Sequence, residues 1–359
     1  MASGCSGNLD DDILGSLTRT VVVFRCDASA RIGGGHATRC LALADTLTGS
    51  GCETMFVVGP ESLATVPDLA RHRCIVIDGV ATEHVRIADA LGRGVDWVVI
   101  DLYEHDMAFE TSCRAWTDRI LVVSDFADRS HDCDLLLDQT LGRTVADYAP
   151  FVPTDCLVLA GPGYSLVRTQ FLELRSAAER RRATPHVARR LLLSFGATDV
   201  FRLTERVLAA LLRHSPDIII DVVMGLRASA DLIALAATSS SVTLHRAVDD
   251  MAGLMLAADL AVGTAGTTAW ERCTLGLPSA LVIPVESFRE ITERLAARGA
   301  VAVVGDLDFD EDAAGAAIIA LAMDADRLAH MSAAAFRVCD GLGPCRVASA
   351  IKSLAKTAC

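Results

Sequence analysis

Lysine is almost absent from this 359-residue chain: only Lys352 and Lys356 occur, and arginine makes up the rest of the 33 basic residues. That ratio fits codon usage in a GC-rich genome and carries no functional weight. Positive charge is short as well, because 46 acidic residues bring the net charge to −13. Neutralising a polyanion needs a basic field, so a polymeric nucleic acid is excluded as a partner. Aromatics are few at 5%, yet 52% of residues are hydrophobic, too many for a disordered chain. The mean hydropathy is +0.38, but Asp, Arg or Gly interrupts every long apolar stretch. No run of about 18 uncharged apolar residues remains, so no membrane span is expected. The opening residues are acidic and lack an apolar signal core, which predicts a cytoplasmic protein. Twelve cysteines are present, but no C-x-x-C pair and no zinc-finger spacing, so neither a metal site nor a disulfide framework is expected.

What is present is a repeated alternation of short apolar runs with amphipathic stretches. The length exceeds the roughly 250–300 residues at which a single core stops growing, so two domains are expected. Residues 1–18 read as a polar leader. Strands are predicted at Thr20–Phe24, Met55–Val58, Cys74–Ile77, Trp97–Asp101 and Ile120–Ser124, and a helix at Ala37–Leu47. A second set of strands falls at Leu191–Ser194, Ile218–Val223, Val242–His245 and Leu260–Val262. Helices are predicted at Leu203–Arg213, Met251–Ala257 and Thr267–Thr274. Runs without polar alternation suit strands covered on both faces, hence parallel sheets with flanking helices. The expected organisation is a domain over 19–165, a linker over 166–189 containing the charged stretch Arg175–Arg190, and a second domain over 190–359. Ligands in such folds sit at the carboxyl ends of the strands, in a cleft. The apolar segment Ala313–Met323 fits either an interface or the interior, and the oligomeric state stays open.

Several loops carry residues suited to chemistry. In Phe24–Arg39 the glycines Gly34 and Gly35 let the backbone approach a ligand, and His36 falls at a helix N-terminus. The dipole there disfavours a cation, so a neutral imidazole able to take a proton from water is expected. Asp27, at the end of the first strand, is placed to orient it. A plain tight turn with His36 as a surface cap fits the same residues. Asp101 and Tyr103 close a strand, where an ordinary helix cap with an amphipathic tyrosine is the alternative. Ser194, Gly196 and Thr198 follow a strand and precede a helix, an arrangement suited to a diphosphate or to simple capping. Gly266, Thr267 and Thr268 repeat it, with Glu271 placed for a ribose hydroxyl pair. Neither loop is a Walker A, since no G-K-[ST] follows.

Taken in order, these blocks resemble the UDP-diacetamido-trideoxyaltrose hydrolases of pseudaminic acid biosynthesis, GT-B-fold relatives of the MurG-type glycosyltransferases. The resemblance covers about residues 20–350. It rests on Phe24–Arg39, Asp125–Gln139, Gly161–Tyr164, Ser194–Asp199, Trp270–Pro278 and Asp340–Gly343. It implies an α/β GT-B fold of two Rossmann-like domains facing a central cleft. The implied substrate is a nucleotide-sugar, and the implied reaction is attack of water on the anomeric carbon of a UDP-sugar, with inversion and loss of UDP. No metal or other cofactor is implied. His36 matches the family histidine and Tyr103 its cleft tyrosine, while Gly266, Thr267, Thr268 and Glu271 match the phosphate and ribose loops. Ser287 and Phe288 stand where the family has Asn-Gln, and Ala197 and Ala265 replace family glycines. With those departures three readings stay open: hydrolysis of an altered nucleotide-sugar, transfer to an acceptor hydroxyl, and a non-catalytic nucleotide-sugar-binding relative.

Overall fold

The computed structural model describes residues 19–78, 82–196, 199, 201–214, 217–225, 229–246, 248–306 and 308–356. Seven strands form the first sheet: β1 (Val21–Cys26), β2 (Glu53–Val58), β3 (Arg73–Val76), β4 (Val95–Asp101), β5 (Thr117–Val123), β6 (Leu135–Asp138) and β7 (Leu157–Ala160). All pairings are parallel, in the order β3-β2-β1-β4-β5-β6-β7. The helices of this half are α1 (Gly35–Gly49), α2 (Ser62–Thr65), α3 (Glu83–Leu91), α4 (Met107–Cys113) and α5 (Val145–Tyr148).

Helix α6 (Thr169–Arg181) leads into the second sheet, built from β8 (Arg190–Ser194), β9 (Ile219–Val223), β10 (Val242–His245), β11 (Leu260–Gly263), β12 (Ser279–Val282) and β13 (Val301–Gly305). It is parallel too, in the order β10-β9-β8-β11-β12-β13. Its helices are α7 (Leu203–His214), α8 (Ala230–Ala236), α9 (Met251–Ala257), α10 (Thr268–Thr274), α11 (Arg289–Ala297), α12 (Glu311–Ala322) and α13 (Ala325–Val338), followed by α14 (Gly343–Lys356).

Parallel strands need crossover helices on both faces, and the burial agrees: Val22, Phe24 and Cys26 enter one core of the first sheet, Val21 and Val23 the other. Strand order reverses between β1 and β4 in the first sheet and between β8 and β11 in the second. Helices leave in opposite directions at these two points, which opens a crevice at the carboxyl ends of the strands.

Three placements differ from the sequence reading. The linker expected over 166–189 contains α6, which takes in the first part of the charged stretch and packs on α9 and α10. Arg175 on α6 ties it down by donating to the carbonyls of Thr274, Cys339 and Phe336. Strands β7, β12 and β13 were not among the predicted strands. Finally, α14 belongs by packing to the first sheet and not to the second: Val347, Ala348 and Ile351 join the core of α1 and β1. Lys352 Nζ donates to Ser50 O at 2.9 Å. The apolar segment in α12 turns one face inward, with Gly315 closely set against Ala210 of α7, while Ala316, Ala317 and Met323 are exposed. No helix among the described residues is long and apolar enough to cross a membrane.

Candidate functional site

The first-sheet side of the crevice is built on register. Cys26 pairs with Asp101 across β1 and β4, so both point to the face covered by α1. Gly34 is the N-cap of α1 and gives no side-chain cap, which puts His36 in the first turn. There His36 Nδ1 lies 2.6 Å from Asp101 Oδ1. Arg39, three residues on and therefore on the same helix face, donates from Nε and Nη2 to the two Asp101 oxygens at 2.7 and 2.6 Å. Its Nη1 reaches Asp125 Oδ1 and Oδ2 at 2.8 and 3.0 Å. The Tyr103 hydroxyl donates to Asp125 Oδ2, and the Tyr103 ring meets His36 edge-on at 4.8 Å.

Burial alone would push the Asp101 carboxyl up, but Arg39 and His36 more than offset it and hold the group far below the usual carboxylate range. Asp125 is lowered in the same way, burial being outweighed by Arg39 and by the Tyr103 hydroxyl. Enclosure of the phenol end and the Asp125 charge push the Tyr103 hydroxyl well up, so it keeps its proton. An ionised Asp101 only accepts, so Nδ1 of His36 must carry a proton, and in the neutral imidazole Nε2 is the basic atom.

Asp27 does not take part. It was expected to orient His36, but it lies one residue past Cys26 and so faces the opposite side of the sheet. Arg25 and the Gly59 N–H occupy its carboxylate, and Arg25 also pairs with buried Glu83. Arg39 and Asp125 had no role in the sequence reading. Asp101 was noted as a strand end, and the i, i+3 spacing of His36 and Arg39 was the available signal.

The second-sheet side is made at β8 and β11. Ser194 ends β8 opposite Gly263, and a side chain on Gly263 would collide with the Ser194 carbonyl, so the two loops leave the sheet in close contact. Gly196 has φ +92°, a conformation that favours glycine. Thr198 lies outside the described residues. The start of α7 is occupied by the chain itself, because Asp199 accepts from the N–H groups of Leu203 and Thr204 at 2.8 and 2.9 Å. A negative ligand at those N–H groups would meet that carboxylate. Helix α10 differs: its N-cap Thr267 makes no side-chain capping bond, and Gly266 and Thr268 flank it. Phe288 lies 3.7 Å from where a Gly266 side chain would start, whereas Ser287 beside it is exposed in the turn Glu286–Phe288.

Glu271 is 2% exposed; Arg168 Nε holds its Oε1 at 2.7 Å, while Oε2 has no partner. Arg272 is as deeply buried, donates to the Thr264 carbonyl, and has an unpartnered Nε. Burial pushes its guanidinium down to about 10.

The two sides meet. A side chain on Gly35 would sit 3.0 Å from Thr267 Oγ1, so the first turn of α1 abuts the start of α10 across the crevice. The structure therefore brings together His36, Tyr103, Gly34, Gly35, Gly266, Thr267 and Thr268. Among the described residues no cluster of three or more His, Cys, Asp or Glu is arranged to hold a metal ion.

No family model matches the chain. It is 23% identical over 271 residues, 74% of its length, to an uncharacterised protein of Methanocaldococcus jannaschii. It is 25% identical over 190 residues, 53% of its length, to the UDP-2,4-diacetamido-2,4,6-trideoxy-beta-L-altropyranose hydrolase of Campylobacter jejuni. These matches span 56% and 65% of the two relatives' own lengths. Among solved structures, Arabidopsis thaliana UGT89C1 complexed with UDP-L-rhamnose superposes with a TM-score of 0.65 at 12% identity, covering 94% of this chain and all of the other. Acinetobacter baumannii MurG gives 0.64 at 17% identity, covering 93% and 99%. Two parallel sheets with these strand orders and these neighbours give the chain the GT-B fold.

Proposed function

We propose that the chain is a nucleotide-sugar hydrolase acting on a UDP-sugar. The observation that carries the reading is the meeting of the His36–Asp101 pair, at the start of α1, with Thr267 at the uncapped start of α10. A general base and a set of hydroxyl and N–H donors then lie on the two sides of one crevice, next to the point where the sides touch. In the reaction, His36 Nε2 takes a proton from water as the water oxygen bonds to the anomeric carbon. The bond from that carbon to the diphosphate oxygen breaks, and UDP leaves with the electron pair. A diphosphate is a stable anion, so it needs donors more than an acid, and Gly266, Thr267 and Thr268 supply them. Attack from the face opposite the leaving group inverts the anomeric centre. The free Oε2 of Glu271 suits a ribose hydroxyl, which would satisfy a buried acceptor. The named Campylobacter relative and the UDP-L-rhamnose complex of the plant neighbour support the choice of substrate class.

One observation favours a second reading, glycosyl transfer. Tyr103 and Phe126 are 45% and 40% exposed with ring centroids 5.5 Å apart, an apolar shelf beside His36 on which an acceptor could stack. The test is UDP release from a panel of UDP-sugars with and without added acceptor alcohols, using wild type and His36→Ala. Hydrolysis predicts release in water alone and a loss of about 10²–10⁴-fold in kcat for the variant. Release only with an acceptor would select transfer. Full turnover by His36→Ala would remove the base, and failure of UDP to raise the melting temperature would remove UDP as the ligand.

A further inference from the structure

We propose that Arg39 is a positioning residue that sets His36 and Tyr103 together, fixing the imidazole in its Nδ1–H form and aiming the phenol across the same crevice. The inference rests on the reading above for what His36 does, but not for how it is held.

The geometry is a chain with Arg39 at its centre. One edge of the guanidinium binds Asp101 through Nε and Nη2, and the remaining nitrogen binds both oxygens of Asp125. Asp101 holds His36, and Asp125 holds the Tyr103 hydroxyl. The Arg39 side chain is 5% exposed and that of Asp101 1%, so neither contact is an incidental surface pair. Asp101 also accepts from the Cys40 thiol at 3.4 Å, which completes the donors around its two oxygens. Arg39 Nη2 lies 3.4 Å from His36 Nδ1 as well, but both atoms are donors once Asp101 is ionised, so this is proximity and not a bond.

The planar fork makes four contacts to the two carboxylates in fixed directions; an ammonium has three donors and no fixed plane, and cannot reproduce that set. The consequence is chemical. While Arg39 is in place both carboxylates stay ionised, Asp101 can only accept, and the proton on His36 must sit on Nδ1. With the Arg39 fork gone, Asp101 keeps only His36 and Cys40 as partners and Asp125 only Tyr103, so both buried carboxylates take up protons more readily. A protonated Asp101 can donate to Nδ1, which moves the imidazole proton to Nε2 and removes the basic atom from the crevice.

Tautomer and turnover are read separately. Ligand-free protein labelled with ¹⁵N-histidine is examined by long-range ¹⁵N–¹H correlation, with His36→Gln assigning the signal. Wild type is expected to show Nδ1 protonated and Nε2 bare. Arg39→Lys is expected to lose that pattern and to lower kcat about 10²-fold while KM moves less than about threefold, since the wrong tautomer disables a base without touching substrate binding. A melting curve checks that the variant folds. If it does not, Asp125→Asn weakens the Asp125 arm, its bonds from Arg39 and from Tyr103 alike, and leaves Arg39 on Asp101: the His36 tautomer should persist while kcat falls about tenfold. An unaltered tautomer and kcat in folded Arg39→Lys, or unchanged kcat in Asp125→Asn, would overturn the proposal. Wild-type turnover in His36→Ala would instead refute the base while leaving the tautomer result to judge Arg39.

Discussion

The two sides of the crevice are finished to different degrees. On the first-sheet side His36, Asp101, Arg39, Asp125 and Tyr103 satisfy one another through short hydrogen bonds. On the second-sheet side buried polar atoms wait: Glu271 Oε2 and Arg272 Nε have no partner, and Thr267 leaves its helix uncapped. A preorganised network costs no rearrangement when charge develops, which suits the half that performs the proposed chemistry. Unsatisfied buried acceptors and donors gain most from a ligand, which suits the half proposed to bind the nucleotide. Damage to the first half should therefore appear in the protein without ligand, and damage to the second only when ligand is added.

The sharpest break of that contrast is Asp101→Asn. It leaves Arg39 buried with one carboxylate missing and should cost about 3–5 kcal/mol at pH 7, measured by urea unfolding. The cost should shrink in acid. Asp101 has its folded pKa depressed, so its contribution is complete above the unfolded carboxylate value of about 4 and is lost as pH falls through the folded value. Equal destabilisation at pH 7 and pH 2.5 would show that the carboxylate is not the source. Next in size, Glu271→Gln should lower UDP affinity by about 1.5–3 kcal/mol, read by calorimetry, because a charged acceptor is removed. Without UDP its melting curve should move much less than that of Asp101→Asn, since Glu271 has one bonded oxygen against two at Asp101 and Gln removes a charge whose Oε2 has no partner; an equal shift would erase the difference between the halves. The smallest effect is expected at the seam. Gly35→Ala gains helix propensity of up to about 1 kcal/mol but crowds Thr267, a penalty of similar size, so stability should be nearly unchanged. The widened contact should nonetheless lower kcat about threefold to tenfold. Unchanged kcat would mean that the two helix starts need not touch.

The sequence made the alternation of strands and helices legible, and with it the loops at both reversal points. Short apolar runs followed by Gly-His or Gly-Thr-Thr mark strand ends and helix starts by local chemistry alone. The choice between Asp27 and Asp101 was not legible. Both end strands, and only the register Cys26 with Asp101 decides which carboxylate faces α1. That register depends on pairing between segments about seventy residues apart, and a shift of one residue would have reversed the outcome. The state of the second loop was hidden in the same way. Nothing local says that Asp199 turns back onto α7 while the start of α10 stays open. Ser287, counted with the nucleotide-binding residues from the sequence, sits exposed in its turn, and the neighbouring Phe288 reaches toward Gly266.

Helix α14 bears on how the chain is made. Its fourteen residues supply Val347, Ala348 and Ile351 to a core whose other members come from α1 and the strands of the first sheet, far earlier in the chain. Gly343 packs against Ser165 and Arg346 donates to the Gly163 carbonyl, so the return crossing runs beside the outgoing one. During synthesis the half that carries His36 thus emerges before the second half and is completed after it. Its apolar face stays uncovered until the second half and α14 have been made. A chain stopped before Gly343 would hold every residue of the proposed site and still lack the lid of the core that carries it.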